Sequence, residues 1–286
     1  MKIIRYFFEF LLIISFFFIF KIIGYKNASN FGEILGKKIG PLFRSKSKIL
    51  NNLRNSNIGN SEKEREIIIE NMWGNYGRIL SEYMFLKQFK KNDLSQFLEI
   101  EGSQILKEIK INEEKVVFIS GHFNNFELMA MEIEKAGINL CAIYRPLNNP
   151  FLNVIMEKIR KNYICKNQIK KGKGGTRDLI NLFKKNFSVA LMIDQRVREG
   201  ETIKLFNNPA KTTTIPAQLV KKYNCRIVPV YIERIRKQNF KLSFQNPIKF
   251  DDKLTVHEIS SELNKILEKM IIKNPEQWIW THDRWK

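Results

Sequence analysis

The sequence is poor in the residues that build metal and redox sites. It holds three histidines and three cysteines in 286 residues. Cys141, Cys165 and Cys225 stand apart with no C-x-x-C pair, which argues against a zinc ribbon, a redox motif or a secreted disulfide scaffold. With His and Cys this scattered, no metal and no cofactor are expected. No G-x-S-x-G occurs, so a serine hydrolase of that kind has no support. The stretch Gly172-Lys173-Gly174-Gly175 is not followed by G-K-[ST] and does not fit G-x-G-x-x-G after a strand, so it reads as a flexible basic loop.

Acidic residues are also scarce. There are 29 against 49 basic ones, a net charge of +20. Such an excess predicts an anionic partner: nucleic acid, anionic lipid, a phosphorylated substrate or an acidic protein. Part of it is discounted, because Lys, Ile, Asn and Phe are abundant together, as an AT-rich genome alone would produce. No helix-turn-helix, zinc-finger or RNP pattern supports nucleic-acid binding, and none is expected. A membrane-tethered basic nucleic-acid-binding protein and a scaffold without chemistry stand as the rival classes. At this length, with 44% hydrophobic residues, the chain is long enough to bury roughly 75% of its unfolded surface.

What is plentiful is apolar sequence at the N-terminus. From Ile3 to Ile23 only Arg5, Glu9 and Lys21 are charged. As a helix this run reaches about 31 Å at 1.5 Å per residue, near the hydrocarbon thickness of a bilayer. A retained membrane anchor over residues 1–24 is the preferred reading. A cleaved signal peptide is the rival, but Asn27-Ala28-Ser29 is a poor A-x-A site; a greasy core helix is a third reading. Lys26, Lys37, Lys38, Arg44, Lys46 and Lys48 follow the run and favour a body on the cytoplasmic side of the membrane.

Residues 25–286 read as one domain. Residues 25–60 look like connector and short helices, and Ser61-x-x-Glu64 opens a helical stretch to about residue 90. Short apolar runs at 116–119, 140–144, 189–193 and 226–235 read as buried strands, and 240–250 as an edge strand. Helices are expected at 128–136, 151–160 and 177–185, and from Thr255-x-x-Glu258 to Pro275. Helices alternating with buried strands predict an α/β fold: a central, largely buried mixed sheet flanked by helices and preceded by the anchor.

His122 follows the first of these strands, in Ser120-Gly121-His122-Phe123-Asn124-Asn125-Phe126-Glu127. The end of a strand facing the start of a helix is where α/β sheets place their sites. With His122 on the turn and Glu127 in the first helical turn, the two can converge, and a carboxylate on one imidazole nitrogen leaves the other free as a base. A lone His-x4-Glu also occurs by chance, and its position after a strand is what singles it out. Arg145, in Tyr144-Arg145-Pro146, ends another strand with a side chain suited to phosphate or carboxylate. Asp194-Gln195 ends a third.

Together these pieces resemble, in order, the bacterial lipid A late acyltransferases (lauroyl and myristoyl transferases), within the glycerolipid-type acyltransferases. Gly121 to Glu127 is similar to their Gly-His-x-Gly-Asn-Trp-Glu box, and Tyr144-Arg145-Pro146 to their Tyr-Arg-Pro segment. Gly175-Thr176-Arg177-Asp178, Asp194-Gln195, Phe206 to Thr212, Arg226 to Val230 and Pro275 to His282 also match. Asn124 stands where Gly is common, Phe126 where Trp is usual, and Asn207-Asn208 where Phe-Gly is. The resemblance implies an O-acyltransferase that moves a fatty acyl chain from an acyl-carrier-protein thioester to a hydroxyl of a lipid A precursor. His122 is then the general base and Glu127 its orienting partner. Asn125, Arg145, Arg177, Asp194 and Gln195 become substrate-binding candidates. The same boxes would serve a lysophospholipid or another glycolipid as acceptor.

Overall fold

The computed structural model describes residues 2–286, with Lys173 described by its backbone alone. The strands are β1 Leu98–Glu101, β2 Val117–Ser120, β3 Leu140–Tyr144, β4 Asn167–Lys170, β5 Ser188–Met192, β6 Glu201–Leu205, β7 Asn208–Thr212, β8 Ile227–Arg236 and β9 Asn239–Phe244. The α-helices are α1 Lys2–Ile39, α2 Lys46–Asn55, α3 Glu62–Glu82, α4 Leu86–Lys90, α5 Ser103–Ile111, α6 Glu127–Lys135, α7 Pro150–Ile159, α8 Lys173–Lys184, α9 Ile215–Tyr223 and α10 Val256–Lys273.

Seven strands form one mixed sheet in the order β1-β9-β8-β2-β5-β3-β4. All its neighbours are parallel except the β8–β9 hairpin. The middle strands are apolar because both their faces are covered: every residue of β2 is buried, as parallel strands under helices require. Helices α6, α7 and α8 make the crossovers β2→β3→β4→β5. The α/β fold with its central mixed sheet is therefore as the sequence predicts.

Several elements differ from expectation. β9 alternates buried and half-buried residues but is not an edge, because β1 pairs with it in parallel register from Leu98↔Phe240. Strands β1 and β4 are too short and polar to announce themselves. α8 starts inside the Gly-rich stretch, where a Cβ on Gly175 would run into the Lys170 carbonyl; Gly175 packs the helix onto a strand end, so the stretch is not a loose loop throughout. β6 and β7 make a separate hairpin. Phe206 and Asn207 hold left-handed φ of 50° and 59° there, the two-residue turn that suits a hairpin. Residues 25–39 are not a connector but the second half of α1, which breaks only at Gly24 (φ 77°, ψ 166°).

That second half is pressed against α3. Gly32 and Gly36 face Gly77, and a Cβ on Gly77 would run into the Gly32 carbonyl oxygen. Only hydrogen fits at this crossing. A buried polar group then ties the pair to the sheet: Ser29 donates to Glu82 (2.8 Å), Arg78 donates to Ser29 (2.9 Å), and Arg234 of β8 grips Glu82 at 2.8 and 3.1 Å. Glu82 is wholly buried, a placement that stands only because it is paired and hydrogen-bonded. After α10 the C-terminal segment folds back onto the body. Asn52 of α2 donates to the carbonyls of Trp280 and His282, both at 2.8 Å.

Gly77→Ala overpacks this crossing, at a cost of about 1–3 kcal/mol. Its melting temperature is expected to drop by about 3 °C or more. Gly174→Ala, where a Cβ meets open space, serves as the control and leaves the melting temperature unchanged or raised, which scanning calorimetry measures.

Candidate active site

Strands β2 and β5 are parallel neighbours with Ser120 opposite Met192. Two residues further along each chain, at the carboxyl edge of the sheet, stand His122 and Asp194. From β2 the chain crosses toward β3, and from β5 it returns toward β8, on the other side of β2. The crevice between β2 and β5 is thus a topological switch point, where open α/β sheets bind ligands.

Asp194 meets His122 twice. Its Oδ1 lies 2.8 Å from the ring Nδ1, and its Oδ2 accepts the His122 backbone N–H at 2.8 Å. The Trp278 indole N–H donates to the same Oδ2 at 2.9 Å. Asp194 is 1% exposed. Burial opposes its charge, but the His122 imidazole and these hydrogen bonds outweigh it and hold the carboxyl below its usual range. Burial likewise disfavours the charged His122, but the Asp194 carboxylate prevails and raises the imidazole above 6.5. With Nδ1–H donating to Asp194, Nε2 carries the lone pair. The Phe126 ring stands edge-on to the imidazole at 4.9 Å, and the Gln195 amide nitrogen is 3.5 Å from Nε2.

Glu127 does not hold His122. Among the described residues it makes no hydrogen bond to the imidazole, and the orienting contact expected of it belongs to Asp194. Glu127 opens α6 and its carboxylate turns toward Tyr83 and Arg160 instead. It accepts from the Tyr83 hydroxyl and from Arg160 Nε at 2.8 Å, and Arg160 Nη2 also reaches the Tyr83 oxygen at 3.3 Å. Arg160 sits at the start of a π-helical turn, Arg160–Ile164, that ends α7; such turns often mark functional sites. The Glu127 carboxylate raises the Arg160 guanidinium against the effect of burial. Glu127 is still near enough for its charge to favour the imidazolium of His122.

The remaining candidates separate. Asn125 is fully buried, and neither side-chain polar atom finds a partner among the described residues. Asn124 takes the left-handed φ of 43° and donates to Ile232 O (3.2 Å) and Gln277 Oε1 (2.6 Å). Asparagine is thus accommodated where the family favours glycine. Arg145 lies one residue past β3 at the same carboxyl edge, exposed and without an ion pair among the described residues. Arg177 is exposed on α8, outside the His122–Asp194 contacts. Beside them, Lys166, Ile169, Lys170, Lys171, Gly174 and Gly175 line an open groove of about 710 Å³.

Sequence reasoning missed Tyr83, Arg160 and Trp278, and gave His282 no role. His282 is half-buried in the field of Asp194 and His122, and burial lowers its pKa. The signal for Trp278 was the C-terminal segment itself, which matched the family without suggesting a contact.

The model of the bacterial lipid A biosynthesis acyltransferases matches residues 1–286, and the chain belongs to that family. It is 24% identical over 264 residues to the lipid A biosynthesis palmitoleoyltransferase of Escherichia coli K12, covering 88% of this chain and 84% of that protein. It is 23% identical to the myristoyltransferase of the same organism, over 86% and 77% of the two chains. To its lauroyltransferase it is 24% identical, over 79% and 74%.

The pairing is open to direct titration. In histidine-labelled protein, NMR is expected to place the His122 midpoint above 6.5. Asp194→Asn lowers that midpoint more than Glu127→Gln does, because Asp194 supplies the contact and Glu127 only a more distant charge.

Proposed function

We propose that this protein transfers a fatty acyl chain from an acyl-carrier-protein thioester to a hydroxyl group of a lipid A precursor. The observation that carries the reading is the imidazole of His122, held at Nδ1 by a buried carboxylate and presenting Nε2 at the switch point of the sheet. In the reaction, Nε2 takes the proton of the acceptor hydroxyl as its oxygen bonds to the thioester carbonyl carbon. The carbon–sulfur bond then breaks, and the proton passes from His122 to the leaving thiolate. No acyl-enzyme is required, because the acceptor is the nucleophile. Asp194 stabilises the transient imidazolium and fixes the tautomer.

Glu127 keeps a part in this scheme, through Arg160 and as a nearby negative charge. Gln195, beside Nε2, and Asn125, whose buried polar atoms find no partner among the described residues, are assigned to positioning substrate. Arg145, Arg177 and the lysines of the groove supply cations for phosphate groups on the acceptor and for the acidic carrier protein. Residues 1–24 form the membrane anchor and residues 25–286 the acyltransferase domain, on the cytoplasmic side of the inner membrane. An amphiphilic acceptor in the bilayer then meets a water-soluble donor at one surface.

The test is incubation of the detergent-solubilised protein with acyl-carrier-protein thioesters and a tetra-acylated lipid A precursor, followed by lipid mass measurement. A gain of one acyl group is expected, and its mass gives the chain length. His122→Ala stays folded and lowers the rate by about 10²–10⁴. For the wild type, turnover declines as pH falls through the raised pKa of His122, because the protonated imidazole has no lone pair to offer. Acylation of a lysophospholipid in place of the lipid A precursor would replace the acceptor and keep the base.

A further inference from the structure

The first half of α1 has two unlike faces. Ile4, Phe8, Leu12, Phe18 and Ile22 are exposed, between 58% and 68%. Their spacing places them along one helical stripe. The opposite stripe faces protein: Tyr6 and Phe10 are partly covered, and Phe17 and Phe20 are buried. From Tyr6 to Phe20 is about 21 Å along the helix. Over that length one side is lined by the body.

The far end of this contact is made by α7. Phe151 packs against Phe7 and Phe10, with ring centroids 5.7 and 5.8 Å away. The Asn149 side-chain amide donates to the Tyr6 carbonyl at 2.8 Å. If α1 crossed the bilayer, Asn149 and the start of α7 would lie most of the way through the hydrocarbon. Asn153 and Glu157 on α7 are hydrogen-bonded to each other at 3.0 Å, and α7 runs directly into Arg160 and its ion pair with Glu127. Such groups are expensive at that depth. At the surface of one leaflet they are not.

We propose that α1 lies in the plane of the membrane, embedded in a single leaflet with α7 beside it, and does not span the bilayer. This deepens the membrane reading given above and rests on it. The high mean hydropathy of α1, 2.3 over its most apolar window, suits a helix whose one face meets lipid and the other an apolar protein groove. Val154 of α7 is 67% exposed and continues the lipid-facing surface. Lys2, Arg5, Lys158 and Lys161 are exposed near the ends of the two helices, where they meet anionic headgroups. The π-turn that carries Arg160 then sits just behind the embedded helix pair, so an acyl chain leaving the leaflet enters beside the candidate active site.

The test uses the full chain and does not measure acyl transfer. Lys2→Cys and Lys38→Cys are exposed positions at opposite ends of α1, and the three native cysteines are buried. Each variant is treated in spheroplasts with a membrane-impermeant maleimide, with and without permeabilisation. The proposal predicts the same outcome at both positions, with both blocked or both labelled before permeabilisation. A bimane probe on Val154→Cys is expected to lose at least half its emission in vesicles with brominated acyl chains. Labelling of Lys2→Cys and Lys38→Cys from opposite sides would overturn the proposal, as would an unquenched probe at position 154. Sedimentation with vesicles reports membrane binding separately: protein that stays in solution would overturn the membrane reading and this proposal with it, whereas sedimenting protein with opposite labelling would overturn the proposal alone.

Discussion

The candidate site depends on one buried carboxylate. Asp194 accepts from the backbone N–H of His122, the Trp278 indole and the imidazole itself. An ionised group so completely buried is tolerable only when its oxygens are satisfied. The donors come from two distant parts of the chain, the turn after β2 and the C-terminal segment, and meet the carboxylate at the end of β5. Keeping that carboxylate charged therefore requires the sheet order, the β2–β5 register and the folded-back tail to be in place together. The same carboxylate fixes which imidazole nitrogen is free.

A second buried carboxylate, Glu127, is paired separately with Arg160 and accepts a hydrogen bond from Tyr83. A third, Glu82, is gripped by Arg234 behind α1. Each of the three joins elements that the chain brings from afar: β2 to β5, α6 to the π-turn after α7, and α3 to β8. Apolar burial supplies the bulk of the driving force for folding. These pairs contribute specificity of arrangement instead, because breaking any one leaves a charge buried without its partner.

Much of this was legible in the sequence, for definite reasons. The apolar runs of β2, β3, β5 and β8 carry their burial openly, and the Thr255–Glu258 capping box forms as read. His122 was singled out because a tight turn after a buried strand is a place for chemistry. Its partner was misassigned because proximity in sequence favoured Glu127, five residues on. Asp194 lies 72 residues away, and only the insertion of β5 between β2 and β3 brings it there. Arg160 resembles any basic residue near a helix end, and Tyr83 any aromatic in a helical run; the contact that gives them meaning needs the π-turn. Strand β7 contains Pro209 and ends in polar residues, so no period-2 pattern revealed it. The apolar N-terminal helix was recognisable from composition, but which of its faces packs on the body was not, since the covered stripe from Tyr6 to Phe20 is also largely apolar.

The central claim is that His122 and Asp194 act as one unit in acyl transfer. A double-mutant cycle on kcat/KM tests it most directly, with His122→Ala, Asp194→Asn and the pair assayed under the same conditions. A unit of this kind is strongly non-additive. The account predicts that the double variant is about as slow as His122→Ala alone. Losses that simply multiply would contradict it, because Asp194 would then act on the reaction by a route that does not pass through the imidazole.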